Sequence, residues 1–118
     1  MLAFSSSLRY FVYSNATDMR KGFDGLSGLV RNNLRHDPQC GDVFIFINKP
    51  RSHIKLLFWD GDGFVIYYKR LEKGTFDLPR SDANCMELKR QDLMMILEGI
   101  KLETCKKKVR FLSRKIVH

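Results

Sequence analysis

Histidine and cysteine are sparse in this 118-residue chain and are grouped nowhere. Cys40, Cys85 and Cys105 stand far apart with no Cys-x-x-Cys pair, and His36, His53 and His118 form no His-x-x-x-His. That scatter lacks the ligand spacing of a zinc site and assembles no Ser-His-Asp or Cys-His constellation. An odd number of widely spaced cysteines points to reduced thiols in a cytoplasmic protein. No apolar run approaches the roughly 20 residues of a membrane span. The first ten residues have no basic n-region, and three serines and Arg9 break their apolar stretch, so no signal peptide is expected.

Acidic residues are also outnumbered, 13 against 21 basic ones, for a formal charge of +8. The imbalance is local. Beyond residue 100 there are seven lysines and arginines and one glutamate, whereas the first hundred residues hold fourteen basic and twelve acidic side chains. A nearly balanced body thus carries a basic tail. Such a tail suits nucleic acid or another polyanion, and a plain solubility tail accounts for the same residues.

What is present suffices for one folded domain. Hydrophobic residues make up 44% and aromatics 12%, enough to bury a core of ordinary size without disulfides or metal. The division expected is a single α+β domain over 1–100 followed by a basic tail over 101–118.

The sharpest local signal lies in residues 53–71, two β-rich runs joined by Asp60-Gly61-Asp62-Gly63. Asp-Gly between such runs predicts a hairpin, because glycine accepts the positive φ of a twist-matched turn. Both faces of this hairpin carry large apolar groups, so the sheet needs cover on more than one side or keeps an aromatic surface for a partner.

Elsewhere, Leu8 to Tyr13 reads as a first strand, and Val43 to Ile47 is a continuous apolar strand that makes a three-strand antiparallel meander with the hairpin. Between them Met19, Phe23, Leu26, Val30 and Leu34 fall at helical spacing, with Leu29 widening the stripe and Thr17 or Asp18 as N-cap, which predicts a helix over 18–35. Gly22, Gly25 and Gly28 weaken that helix. They read as small residues allowing close approach to the sheet, or as a glycine-lined approach to a phosphate. Pro79 makes 76–79 an edge segment, Cys85 to Leu88 is a short strand, and Leu93, Ile96, Leu97 and Ile100 place a second helix over 91–100. The fold expected is α+β, a small, mainly antiparallel sheet with two helices in the order β-α-β-β-β-(β)-α.

The run Asp18-Met-Arg-Lys-Gly-Phe-Asp-Gly-Leu26, then Asp37-Pro38, Gly41, Phe44-Ile-Phe46, Ile54-Lys-Leu-Leu57, Trp59-Asp-Gly-Asp-Gly-Phe64, Lys69-Arg-Leu-Glu72, Gly74, Phe76 and Pro79 resembles the accessory protein encoded in the second reading frame of insertion sequence 66 elements. That family is often labelled TnpB, and is distinct from the RNA-guided nucleases of that name. The resemblance covers residues 18–79 closely. It implies a bacterial transposition accessory protein working beside a separate transposase and carries no established catalytic site; the role expected is binding of element DNA, of the transposase or of both, or that of a protein adaptor with no specific DNA recognition, and no cofactor is expected. Two positions depart from the family pattern. The turn after the second strand is Asn48-Lys49-Pro50-Arg51-Ser52-His53 where the family is richer in arginine, and Leu78 stands where a tryptophan is common.

Candidate contacts to DNA or a protein partner follow. Trp59, Tyr67 and Phe46 interleaved with Lys55 and Lys69 suggest an aromatic-basic face that stacks bases and attracts phosphates, and the same aromatics read equally as core beneath the second helix. Arg20, Lys21, Lys69 and Arg70 are expected on the surface, Arg20 or Lys21 pairing with Asp24. Lys49 and Arg51 offer phosphate contacts at the turn, and Lys106, Lys107, Lys108 and Arg110 a salt-sensitive, sequence-blind attraction to DNA. Asp60 and Asp62 with the Glu87-Leu88-Lys89 sequence echo a metal nuclease, but the strand paired to the first hairpin strand carries no carboxylate, and turn chemistry explains the same aspartates.

Overall fold

A computed structural model describes residues 7–99. Five strands and two helices follow in the order β1 (Tyr10–Tyr13), α1 (Phe23–Asn32), β2 (Val43–Ile47), β3 (His53–Trp59), β4 (Phe64–Arg70), β5 (Cys85–Leu88) and α2 (Arg90–Leu97). The strands form one sheet in the order β4-β3-β2-β1-β5. The meander β2-β3-β4 is antiparallel as expected, and β5 runs antiparallel to β1. The pair β1 and β2 is parallel, since α1 supplies the crossover that a parallel pair requires.

Period-two alternation splits the core between the two faces. Val43, Ile45, Ile47, Ile54 and Leu56 join Leu93, Ile96 and Leu97 of α2, whereas Phe44, Phe46 and Leu57 join Leu26, Val30 and Leu34 around α1. All five residues of β2 are buried because this strand is central and covered on both faces, which is why its sequence shows no alternation.

Several expectations need correction. Helix α1 starts late because Asp18 turns the chain first: its Oδ1 accepts the Arg20 N–H at 2.9 Å and its carbonyl accepts the Lys21 N–H at 3.1 Å. Gly22 is therefore the N-cap, and Arg20 pairs with Asp18 at 2.6 Å rather than with Asp24. The other end unwinds at Arg35, whose φ is 59°. Phe23, assigned to the apolar stripe, is half exposed. The helix glycines do not set a close approach to the sheet. A Cβ at Gly22 or Gly28 would meet nothing within 4 Å, and one at Gly25 only the Lys21 side chain.

Residues 76–79 form no strand. Phe76 and Leu78 instead plug into the α2-side core, fastened by the Phe76 N–H to the Arg51 carbonyl at 2.7 Å. The hairpin turn is as expected, with Gly61 at φ 104° and the Asp60 N–H donating to the Gly63 carbonyl at 3.1 Å.

Candidate nucleic-acid interface

The four-residue connection sets the hairpin register, and the register breaks up the aromatic-basic face proposed from sequence. Trp59 pairs with Phe64, Lys55 with Tyr68 and Ile54 with Lys69. Odd positions on β3 therefore share a face with even positions on β4. Phe46, Lys55 and Trp59 lie on the α1 side, and Tyr67 packs with the α2-side core. Trp59 meets Phe64 edge-on with ring centroids 5.0 Å apart.

Besides Arg20, which pairs with Asp18, three of the candidate cations already have partners. Lys55 is buried, its Nζ donating to the Met19 carbonyl at 2.7 Å and the Lys21 carbonyl at 2.9 Å, and lying 4.6 Å from the centroid of Tyr68. It ties β3 to the turn before α1, correcting the expectation of a cation displayed on that face. Lys69 Nζ donates to the Leu97 carbonyl at the end of α2, where a cation complements the unsatisfied carbonyls. Arg70 bridges to Glu72 at 2.9 Å, with both side chains largely exposed. Lys21 and Arg20 are exposed ahead of α1. Lys106, Lys107, Lys108 and Arg110 lie outside the described residues.

The Asp18 carboxyl is held down at about 2, first by hydrogen bonds from the Arg20 side chain and then by the Arg20 backbone N–H. Because this lies below the ordinary 3.8, whatever the turn contributes to stability is complete at neutral pH and disappears only as pH falls from about 4 towards 2. Carbon-detected NMR should therefore place the Asp18 midpoint near 2, and Arg20→Gln should return it towards the ordinary value. A wild-type midpoint at the ordinary value would mean that Arg20 does not bond the Asp18 carboxylate in solution.

Lys49 and Arg51 do come together, with a third cation that the sequence reading passed over. A pocket of about 450 Å³ opens at the carboxyl ends of the parallel strands β1 and β2, the place where open α/β sheets commonly hold ligands. Lys49, Arg51 and Arg80 line it with Ser14, Ser81 and Asp82. Asn48 shapes the basic turn, its Oδ1 accepting the N–H groups of Ser52 at 2.9 Å and His53 at 3.0 Å, and its carbonyl the Arg51 N–H at 3.1 Å. Arg51 sits at φ 60°, a left-handed conformation that costs a non-glycine residue about 1 kcal/mol. A cation thus occupies a position where glycine fits better. The opposite wall, residues 78–82, is fixed below by Phe76 and Leu78 and above by Ser14, whose Oγ donates to the Ala83 carbonyl at 2.6 Å.

Other reactive side chains are dispersed. Asp60 and Asp62 lie in the β3–β4 turn at one edge of the sheet, and Glu87 lies on β5 at the other. His36 packs against the rings of Phe11 and Phe44, and His53 Nδ1 contacts Ser52 Oγ at 2.7 Å. Burial raises the thiol pKa of both Cys40 and Cys85, which are free thiols. Among the described residues no group of three His, Cys, Asp or Glu side chains is placed to hold a metal ion, and no helix is long and apolar enough to cross a membrane.

Residues 8–107 match the family model of IS66 Orf2-like proteins, which takes in both the sheet and the basic turn. The chain belongs to this family. Two proteins of Sinorhizobium fredii (strain NBRC 101917 / NGR234) are similar to it along most of their length. Uncharacterized protein y4jC is 32% identical over 108 residues, 92% of each chain. Uncharacterized protein y4hO is 31% identical over 100 residues, 85% of this chain and 87% of the relative. No solved structure matches. Membership associates the protein with transposition in an accessory capacity.

Proposed function

We propose that this protein is a non-catalytic accessory factor of transposition that holds element DNA by its phosphate backbone, working beside a separate transposase. The observation that carries this reading is the convergence of Lys49, Arg51 and Arg80 on one pocket at the carboxyl ends of β1 and β2. None of the three has an ion-pair partner within 4.0 Å among the described residues. Two arginines and a lysine with adjacent serine hydroxyls suit phosphate oxygens, which position a protein on a duplex without reading bases. The basic tail adds a sequence-blind attraction of the same sign.

The test is fluorescence anisotropy of an element-end duplex and a scrambled duplex with the full chain across a salt series. Replacing the three cations together, as Lys49→Gln, Arg51→Gly and Arg80→Gln, should lower the slope of log affinity against log salt by about 2 to 3, since each phosphate contact contributes about 0.9. Affinity at moderate salt should fall about 10- to 100-fold. Arg51→Gly alone separates charge from folding, because glycine relieves the left-handed backbone while removing the cation. Its thermal stability should hold or rise as its DNA affinity drops. An unchanged salt slope in the triple variant would leave binding to the tail and overturn the pocket's role.

A further inference from the structure

The two edges of the sheet differ sharply. Strand β5 is four residues long, includes Glu87 and is followed by Lys89 and Arg90, features that discourage further pairing. Strand β4 has none of these protections in its first five residues, Phe64-Val-Ile-Tyr-Tyr68. It pairs with β3 through seven consecutive residues without a bulge, and among the described residues no strand covers its other side. A long, regular, uncharged edge is a template for another strand.

Its hydrogen-bonding phase is set at both ends. Asp60 and Gly63 are bonded across the turn, and the Leu71 N–H donates to the Ser52 carbonyl at 2.9 Å. Alternation then turns the backbone groups of Val65, Tyr67 and Lys69 towards β3, and those of Phe64, Ile66, Tyr68 and Arg70 outward. The side chains of these outward residues share the α1 face, where Tyr68 is half exposed.

The charges along this edge identify the occupant. Asp60 and Asp62 precede the strand, and Lys69 and Arg70 end it. Such an edge is complementary to itself when reversed. We propose that two copies of this chain associate by antiparallel pairing of β4 with β4 about a two-fold axis through Ile66, joining two five-stranded sheets into one. In this register Ile66 faces Ile66 of the second copy, Phe64 faces Tyr68, and Asp62 faces Arg70, so every outward backbone group from Phe64 to Tyr68 gains a partner. Moving the axis to Tyr67 would set Asp62 against Glu72 and lose the charge match. The existing Arg70–Glu72 bridge is no obstacle, because exposed pairs of this kind contribute little. The interface is isologous, as closed dimers require.

Sedimentation equilibrium of the full chain should give a mass near twice 13.8 kDa at micromolar concentration. Asp62→Arg or Arg70→Asp alone sets like charges opposite each other at two symmetric places and should weaken the dimer about tenfold. The double variant Asp62→Arg/Arg70→Asp restores opposite charges and should recover it. Both positions are exposed, so folding is not at stake. Amide exchange at Phe64, Ile66 and Tyr68 should slow as protein concentration rises. A monomer at all concentrations, failure of the double variant to recover, or protection independent of concentration, as a segment of the same chain lying on the edge would produce, overturns the proposal.

Discussion

Phe76→Ala is expected to lower the unfolding free energy by about 3–5 kcal/mol, the range for truncating a fully buried aromatic. Phe76 is 0% exposed although it belongs to no strand or helix, and it packs among Ile54, Leu56, Leu93 and Ile96 in the α2-side core. Its segment has no ladder to hold it, so side-chain anchoring and the 2.7 Å bond to the Arg51 carbonyl do that work. The same bond links the two walls of the basic pocket. Urea unfolding should show the midpoint fall, and DNA affinity should fall with it, even where the variant is still folded, because residues 78–82 lose their anchor. Phe76→Leu fills most of the space and should recover more than half of both losses. A loss below about 1 kcal/mol for the alanine variant would contradict the burial.

Lys55→Ala is expected to cost about 2–4 kcal/mol, because it leaves the Met19 and Lys21 carbonyls without a buried donor and empties the space of the stem. Lys55→Met keeps most of the stem and loses the charge and both bonds, so roughly half of that cost should remain. Neither variant should alter the salt dependence of DNA binding, since the ammonium group is engaged inside the protein. Chemical denaturation and a salt titration on the same samples make the distinction. Full stability with a reduced salt slope would mean that Lys55 meets phosphate and that its inward hydrogen bonds do not form in solution.

The hairpin at Asp60 to Gly63, the continuous apolar strand at β2, the short strand at β5 and the apolar side of α2 were all legible in the chain, because turn chemistry and periodicity are local properties. Helix α1 was legible in position but not in extent. Its stripe of apolar residues continues through Met19, yet the Asp18 side chain captures the Arg20 backbone and starts a turn where the pattern alone suggests a helix. Phe76 and Leu78 were recognisably apolar beside a proline, and nothing in their spacing distinguished an edge strand from a loop that plugs a core. Of the candidate site, Lys49 and Arg51 were found through turn composition. Arg80 was missed because no local pattern joins it to a turn some thirty residues earlier; the fastening of Phe76 to Arg51, the burial of Leu78 and the Ser14–Ala83 bond bring them together.

The class of fold, the meander and its turn, the excess of positive charge and, through an ordered set of motifs, the family can all be read along the chain. Which cations remain available depends on long-range docking. Lys55 and Lys69 look equivalent to Lys49 and Arg51 in a chain of letters, but a lysine placed beside unsatisfied carbonyls binds them rather than solvent. Strand pairing also decides that Trp59 and Tyr67 lie on opposite faces, because pairing across the turn places each odd residue of β3 opposite an even residue of β4. Side-chain types and their spacing are written along the chain, whereas long-range partners depend on how distant backbone segments dock.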